Sequence, residues 1–316
     1  MEIRWEIYAA GQAKNLNKRM LANKFKPDVN PSSLRSMYKI ESVSEMRSLA
    51  AALGKEGKTV ALVATNGALH AGHAALIALA KGRANVVVVS VFPNPLAFGP
   101  SDNFAGYPRS PDADCRLCAD LGVVAVFMPK AEEFYPRGFS TYVTEDTVSK
   151  PLCGVSRPTH FRGVTTAVAK LLNIVRPTVL VMGQRDAQQA AVVRKMIGDL
   201  GYETEVVIAP TIRDGDGIAL GVRSREFTAT QRQEARSLHA ALERAAEMVA
   251  QGVRSPDRIV AEATHLLGER RRVRVIYVSM VDPNTMEPMR EVIPGRTLLA
   301  IAVWVDEIRL IDSAIV

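Results

Sequence analysis

The 316-residue chain is poor in cysteine, with only Cys115, Cys118 and Cys153. Three thiols make no disulfide framework for a chain of this length. Cys115 and Cys118 have the spacing of half a zinc site. No second pair accompanies them, and residues 112–121 read as a helix, so two thiols on one helix face explain the spacing better than metal or redox chemistry. Aromatic residues are scarce at 6%, with two tryptophans, and they do not alternate with basic residues. That argues against a base-stacking nucleic-acid surface. No apolar run is long enough to span a membrane. The N-terminus, Met1 to Glu6, lacks the apolar core of a signal peptide, which makes the cytoplasm the expected location. Internal repeats and low-complexity segments are absent as well.

What is present is the composition of a globular protein, 47% hydrophobic and 23% charged, in a length sufficient for one large or two ordinary domains. The net charge is +7, and residues 1–36 carry seven basic against three acidic residues, leaving +3 for all that follows. The basic balance thus belongs mainly to an N-terminal extension, residues 1–36, with a helical piece expected at about 9–24. Its composition suits a solvated tail or a partner contact.

From Tyr38 onward, strands and helices alternate. Helices are expected at 44–53 (capped by Ser42 or Ser44), 74–84, 112–121, 162–175 and 186–200. Strands are expected at 60–64, 85–92, 123–128, 178–182 and 202–208. This β-α-β order predicts a Rossmann-like α/β fold, a doubly wound parallel sheet over residues 37–211. Ligands of such sheets lie at the C-terminal ends of the strands. Residues 212–316 change character. A short segment at 218–222 and a charged loop at 223–226 precede a helix at about 231–251 capped by Thr228, a helix at 256–267, and strands at 273–281, 297–304 and 307–311. A smaller α+β C-terminal domain is expected there.

The most informative stretch is 58–73. A buried strand gives way at Thr65, Asn66 and Gly67 to His70-Ala71-Gly72-His73, and a helix follows. Two imidazoles thus meet free backbone N–H groups and the positive end of a helix dipole, a place that suits phosphate. A His-x-Gly-His turn in this setting is a signature of nucleotidylyl transfer, and Gly72 is expected to let a nucleotide approach the backbone closely. Two histidines in an ordinary turn are the plain alternative.

Residues 61–73, the run from Phe92 to Pro100, Tyr107-Pro108-Arg109, residues 152–166, 183–189, 281–283 and 310–312 together resemble the pantothenate synthetase family over about residues 37–316. The resemblance implies the fold of HIGH-type nucleotidylyltransferases with a small C-terminal lid domain. It implies a reaction in which ATP and a carboxylic acid, pantoate, give an acyl adenylate and pyrophosphate. An amine, β-alanine, then takes the acyl group and releases AMP. Mg²⁺ as companion of ATP and a homodimer are implied too, with small molecules as partners rather than nucleic acid or membrane. Carried over by position, His70, His73, Arg185 and Arg223 act on the phosphates. Gly72, Gly183, Asp186, Gly221 and Val222 contact the nucleotide. Asn66, Asn94, Ala97, Arg162 and Gln189 line the acid pocket, and His160 lies in the same matched loop as Arg162. No protein residue is implied as a metal ligand. Plainer roles stand beside these: a helix N-cap for Asp186, a turn residue for Asn94, a solvated helix position for Gln189, a structural ion pair for Arg162 and an exposed charge for Arg223.

Four positions depart from what the resemblance implies. The family usually has methionine at Asn66, glutamine at Ala97, lysine at Arg185 and a serine pair at Gly221-Val222. Loss of a selecting hydrogen bond at Ala97 is expected to relax or redirect the choice of acid. A guanidinium at 185 also differs in geometry from an ammonium. The leading expectation is therefore an ATP-dependent carboxylate–amine ligase whose acid and amine have changed. An unaltered pantoate–β-alanine ligase is the alternative, and a non-catalytic nucleotide-binding paralogue the third reading.

Overall fold

A computed structural model describes residues 37–99 and 103–316; the expected arm at 1–36, with its helix at 9–24, lies outside the described residues. The first part of the chain runs β1 (Tyr38–Ile40), α1 (Val43–Lys55), β2 (Val60–Thr65), α2 (Ala71–Lys81), β3 (Val86–Val91), α3 (Pro111–Asp120), β4 (Ala125–Phe127) and α4 (Ala131–Phe134). It continues through α5 (Cys153–Ser156), α6 (His160–Val175), β5 (Val179–Gly183), α7 (Ala187–Asp199) and β6 (Glu205–Ala209). Short 3₁₀ turns stand at Pro95–Ala97 and Gln184–Asp186. The six strands form one parallel sheet in the order β1-β4-β3-β2-β5-β6.

The order explains where a ligand can sit. From β2 the chain builds outward through β3 and β4, then returns across the sheet to place β5 on the other side of β2. The direction reverses between β2 and β5, and the crevice beyond their C-terminal ends is the switch point of the fold. Both neighbours of β2 are long and apolar because the sheet centre is covered on both faces. All six residues of β3 are buried. Val60 and Leu62 of β2 join the core under α1 and α6, whereas Ala61 and Val63 join the core under α2 and α3. This is the two-residue period of a strand. Full burial of a side chain such as Leu62 stabilises the sheet by about 1.5–3 kcal/mol. Burial eases at the C-terminal end of β2, where Ala64 and Asn66 are exposed.

The second part comprises α8 (Ala229–Ala250), α9 (Pro256–Gly268) and the antiparallel sheet β7 (Val273–Val281), β8 (Leu298–Val305) and β9 (Ile308–Ile315). Thr228 and Gln231 cap α8 reciprocally, which accounts for an expected start within a turn of the observed one. One face of this sheet closes a core with α8 and α9. Val281, Met286, Leu298 and Ala300 pack instead against Cys153, Phe161, Ala191 and Val192 of the first part.

Two expectations need adjustment. Strand β1 was not expected, because a three-residue Tyr-Lys-Ile strand has too little pattern to register. Helix α2 begins at Ala71 rather than 74, so His73 lies inside the helix and His70 caps it. The short segment at 218–222 makes one antiparallel bridge, Arg213 to Ala219. Cys115 and Cys118 are buried free thiols on α3, and burial raises both pKa values, that of Cys118 to about 12. Inert packing explains them.

The segment from 211 to 228 crosses between the two parts and is anchored by Arg213. Its guanidinium donates to both oxygens of Asp312 at 2.6 and 3.0 Å, and Asp312 on β9 is only 3% exposed. Removing one partner would strand a buried charge. Arg213→Ala is therefore expected to lower stability in denaturant by about 3–5 kcal/mol, whereas loss of the solvated Arg244–Glu262 pair should leave the unfolding midpoint nearly unchanged.

Candidate active site

The turn after β2 is held by its own backbone and by one buried carboxylate. Thr65 donates its hydroxyl to Ser90 O at 2.9 Å, and Gly67 N–H donates to Thr65 Oγ1 at 3.2 Å. Gly67 and Ala68 both have positive φ, 88° and 53°. At Gly67 a side chain would be strained, and its Cβ would also approach Val91 and Asp114 at 3.0 and 3.2 Å. Asp114 of α3, 2% exposed, accepts the N–H groups of Ala68 at 3.0 Å and Leu69 at 2.8 Å, and the Ser110 hydroxyl at 3.0 Å. Satisfying two buried amides in this way fixes the chain just before His70.

His70 and His73 then form a capping box made of imidazoles. The Nδ1 of His70 accepts the Gly72 N–H at 3.1 Å, and the Nδ1 of His73 accepts the His70 N–H at 3.2 Å. A ring nitrogen that accepts from an amide carries no proton, so the proton of each neutral ring sits on Nε2. The rings lie 4.1 Å apart. Burial first, then the guanidiniums of Arg185 and Arg225, lower the pKa of His70 to about 4. Burial, then His70 and the same arginines, lower that of His73 to about 3. Near neutral pH the turn presents two uncharged Nε2–H donors.

A Cβ at Gly72 would stand 2.8 Å from Cε1 and 2.9 Å from Nδ1 of His70. The glycine makes room for the His70 ring.

Around this turn the structure gathers residues from β5 and from the crossing segment. Arg185 donates through Nη2 to Asp186 Oδ2 at 3.0 Å and through Nη1 to Leu220 O at 2.8 Å, while its Nε is buried with no partner among the described residues. Arg225 reaches Leu69 O at 2.9 Å. Gly221 donates to the Ser224 hydroxyl at 3.1 Å, and Val222 leads into the turn Arg223–Arg225. Arg223 is exposed, and its side chain makes no hydrogen bond or ion pair among the described residues. Gly183 ends β5, and no atom lies within 4 Å of where its Cβ would be. Asp186 stands at the start of α7 but makes no side-chain cap. Tyr107 belongs to the same charged surroundings: burial raises its pKa, and Arg223 and Arg185 oppose that rise.

The expected acid-pocket residues are less alike. Asn66 is exposed at the mouth of β2. Asn94 is 6% exposed and engaged by the protein: Nδ2 donates to Gly163 O at 2.9 Å, and Oδ1 accepts Leu96 N–H and the Tyr135 hydroxyl at 3.2 and 2.9 Å. Ala97 is buried, and its carbonyl accepts His160 Nδ1–H at 2.7 Å and Arg157 at 3.1 Å. Of the twin glutamines, Gln188 is tied to Cys153, Val148 and Pro151. Gln189 is half-buried with its amide unpartnered among the described residues. Arg162 stacks on Tyr142 at 4.7 Å and lines a cleft of about 480 Å³ with Phe98, Phe104 and Thr159. The structure joins His70, His73, Arg185, Asp186, Gly221 and Val222 in one place.

Asp114, Arg225 and Tyr107 were missed as site residues. Asp114 sits in the first turn of α3, where an acid looks like ordinary helix-dipole pairing. Arg225 lies two residues beyond the expected Arg223, and nothing in the spacing tells one from the other.

A parallel sheet with paired imidazoles at its switch point defines a Rossmann-like protein of the nucleotidylyltransferase type. The sequence matches the family model for Pantoate-beta-alanine ligase over residues 38–315. It is 42% identical over 279 residues to the pantothenate synthetase of Moorella thermoacetica, covering 88% of this chain and 98% of that one. It is 40% identical over 280 residues to that of Fervidobacterium nodosum, covering 89% and 99%. The fold is similar to the crystal structure of pantothenate synthetase from Thermus thermophilus, with TM-score 0.83, 38% identity and coverage of 88% and 99%. It is also similar to pantoate-beta-alanine ligase from Francisella tularensis complexed with beta-gamma ATP and beta-alanine, with TM-score 0.72, 26% identity and coverage of 88% and 97%. The chain belongs to the pantoate-beta-alanine ligase family, and it is an ATP-dependent ligase that forms an amide bond.

The lowered histidine pKa values have a measurable consequence. His160 shares the effect: burial and then Arg157 lower it to about 4. Below the ordinary value of 6.5 the unfolded chain binds protons on these rings and the native chain does not, so native stability falls as pH falls. Between pH 6.5 and 5, the loss is expected to reach up to about 1.4 kcal/mol per pH unit for each of His73 and His160, and less for the more solvated His70. Urea unfolding across this range should show that slope, with His73→Gln removing part of it, and the slope fading as pH rises above about 7.

Proposed function

We propose that the chain joins pantoate to β-alanine with ATP, through an acyl adenylate. The observation that carries this reading is the pair of neutral Nε2–H donors fixed at the switch point by backbone amides. A pantoate carboxylate oxygen attacks the α-phosphorus, and pyrophosphate leaves. The β-alanine nitrogen then attacks the acyl carbon; AMP leaves, the nitrogen loses a proton and the amide remains. Negative charge builds on the α-phosphate oxygens in the first step. His70 and His73 donate to those oxygens without giving up a proton. A preorganised donor of this kind is worth about 3–4 kcal/mol in the transition state.

The other roles follow from what is free. The unpartnered Nε of Arg185 and the exposed guanidinium of Arg223 suit phosphate oxygens. The open space at Gly183 suits a nucleotide against the backbone, and Asp186 suits a ribose hydroxyl. Gly221 and Val222 offer backbone contacts where the serine pair is missing. Gln189 has a free amide for the acid. Asn94 supports the pocket wall through its protein partners, and Ala97 contributes its wall face. Mg²⁺ enters as companion of the triphosphate. There it would neutralise phosphate charge, a role usual for this ion; among the described residues no group of three His, Cys, Asp or Glu side chains is placed to hold a metal. No helix among the described residues is long and apolar enough to cross a membrane. A homodimer and a cytoplasmic location rest on the family resemblance and on the sequence.

The relatives favour the unaltered acid and amine over the leading expectation of a changed pair, since identity near 40% extends over almost all of each relative. Asn66 and Ala97 still favour a second reading, in which a related acid replaces pantoate. Acid-dependent pyrophosphate exchange with Mg-ATP separates the two. Pantoate is expected to support exchange at least about tenfold faster than other hydroxy acids, with amide formed only when β-alanine is added. A faster rate with another acid, restored toward pantoate by Ala97→Gln, would establish the second reading instead.

A further inference from the structure

Arg185 and Gly221 depart together from the pattern that the family resemblance implies, and the structure puts them in contact. The Arg185 guanidinium reaches across from the end of β5 to the crossing segment, where Nη1 donates to Leu220 O at 2.8 Å. Its other arm is fixed by Asp186 at 3.0 Å. A Cβ built on Gly221 would lie 2.7 Å from that same Nη1. The φ of Gly221 is not in the left-handed region, so backbone conformation does not demand glycine. The guanidinium does. The end of a flexible side chain can move aside, but here moving aside means releasing Leu220 O.

We propose that Arg185 and Gly221 are a matched pair: the guanidinium clasps the Leu220 carbonyl, and only glycine at 221 leaves room for it. The clasp positions the turn at 221–225. Through Arg225, which donates to Leu69 O at 2.9 Å, it also braces the backbone next to His70. Arg185 is thus a positioning residue for the crossing segment, in addition to any contact with phosphate. A lysine at 185 would place one compact ammonium near Leu220 O without a second planar arm over residue 221, so a side chain at 221 would then be tolerated. The consequence for catalysis rests on the function proposed above; the positioning of the segment does not.

The test is a double-mutant cycle on the full chain with Gly221→Ala, Arg185→Lys and both, read by amide hydrogen exchange of residues 218–226. Amides there bond to Ile212 O, Ser224 Oγ and Arg223 O, so their exchange reports opening of the segment. Gly221→Ala is expected to speed exchange about tenfold when Arg185 is present and by less than about threefold when Lys is present. Exchange in β2, β3 and α8 should stay as in the parent, which shows that the variants are folded. Equal acceleration in both backgrounds, or none in the parent background, would overturn the pairing. Pyrophosphate exchange with pantoate, run alongside, should fall about tenfold on Gly221→Ala in the parent background and by less than about threefold when the same change is made in Arg185→Lys. Absence of such exchange in the parent would overturn the proposed substrate while the amide exchange still decides the clasp.

Discussion

Two backbone amides decide what this site can do. The N–H groups of Gly72 and His70 each occupy the Nδ1 of an imidazole, and by doing so place both ring protons on Nε2. The rest of the arrangement serves to keep those amides where they are. Asp114 fixes the peptides before His70, Gly72 leaves space for the ring that caps the helix, and the apolar β2 and β3 give the turn a rigid floor. An uncharged donor suits surroundings that already hold the guanidiniums of Arg185 and Arg225. It strengthens as charge develops and adds no further repulsion among the cations, a form of electrostatic preorganisation.

The same economy of contacts ties the two parts of the chain together. Among the arginines that hold the crossing segment are Arg213 on Asp312, Arg185 on Leu220 O and Arg225 on Leu69 O. Two of these hydrogen bonds end on backbone carbonyls, which makes them insensitive to the side chain at the acceptor and sensitive to the space around it. That is why a glycine at 221 carries information here that its backbone angles do not. The segment meets the crevice at the switch point of the sheet, so the small C-terminal sheet and the nucleotide-type fold share one site.

Much of this was legible in the sequence, and the limits have physical causes. The valine-rich strands and the histidine turn stand out because local periodicity and turn chemistry determine them. Strand β1 did not, being too short to show a period. Asn94 and Gln189 looked alike as polar residues in matched motifs, yet Asn94 is consumed by Gly163, Leu96 and Tyr135, while the Gln189 side chain has no partner among the described residues. Whether an amide is spare depends on partners distant in sequence, and one chain without its fold cannot reveal them. The stacking of Arg162 on Tyr142 is likewise a tertiary contact that the matched loop does not announce. Asp114 and Arg225 act through tertiary contacts with the turn and left no local signal. The expectation of a changed acid came from single substitutions, and the overall likeness to pantothenate synthetases weighs against it.

The central claim is the protonation state of the paired imidazoles, and nitrogen-15 NMR of the histidine rings reads it directly. At pH 6 His70 and His73 are expected to show the neutral tautomer with hydrogen on Nε2, and to remain unprotonated as the pH is lowered to about 5. Hydrogen on Nδ1 of either ring, or titration near the ordinary value of 6.5, would contradict the account.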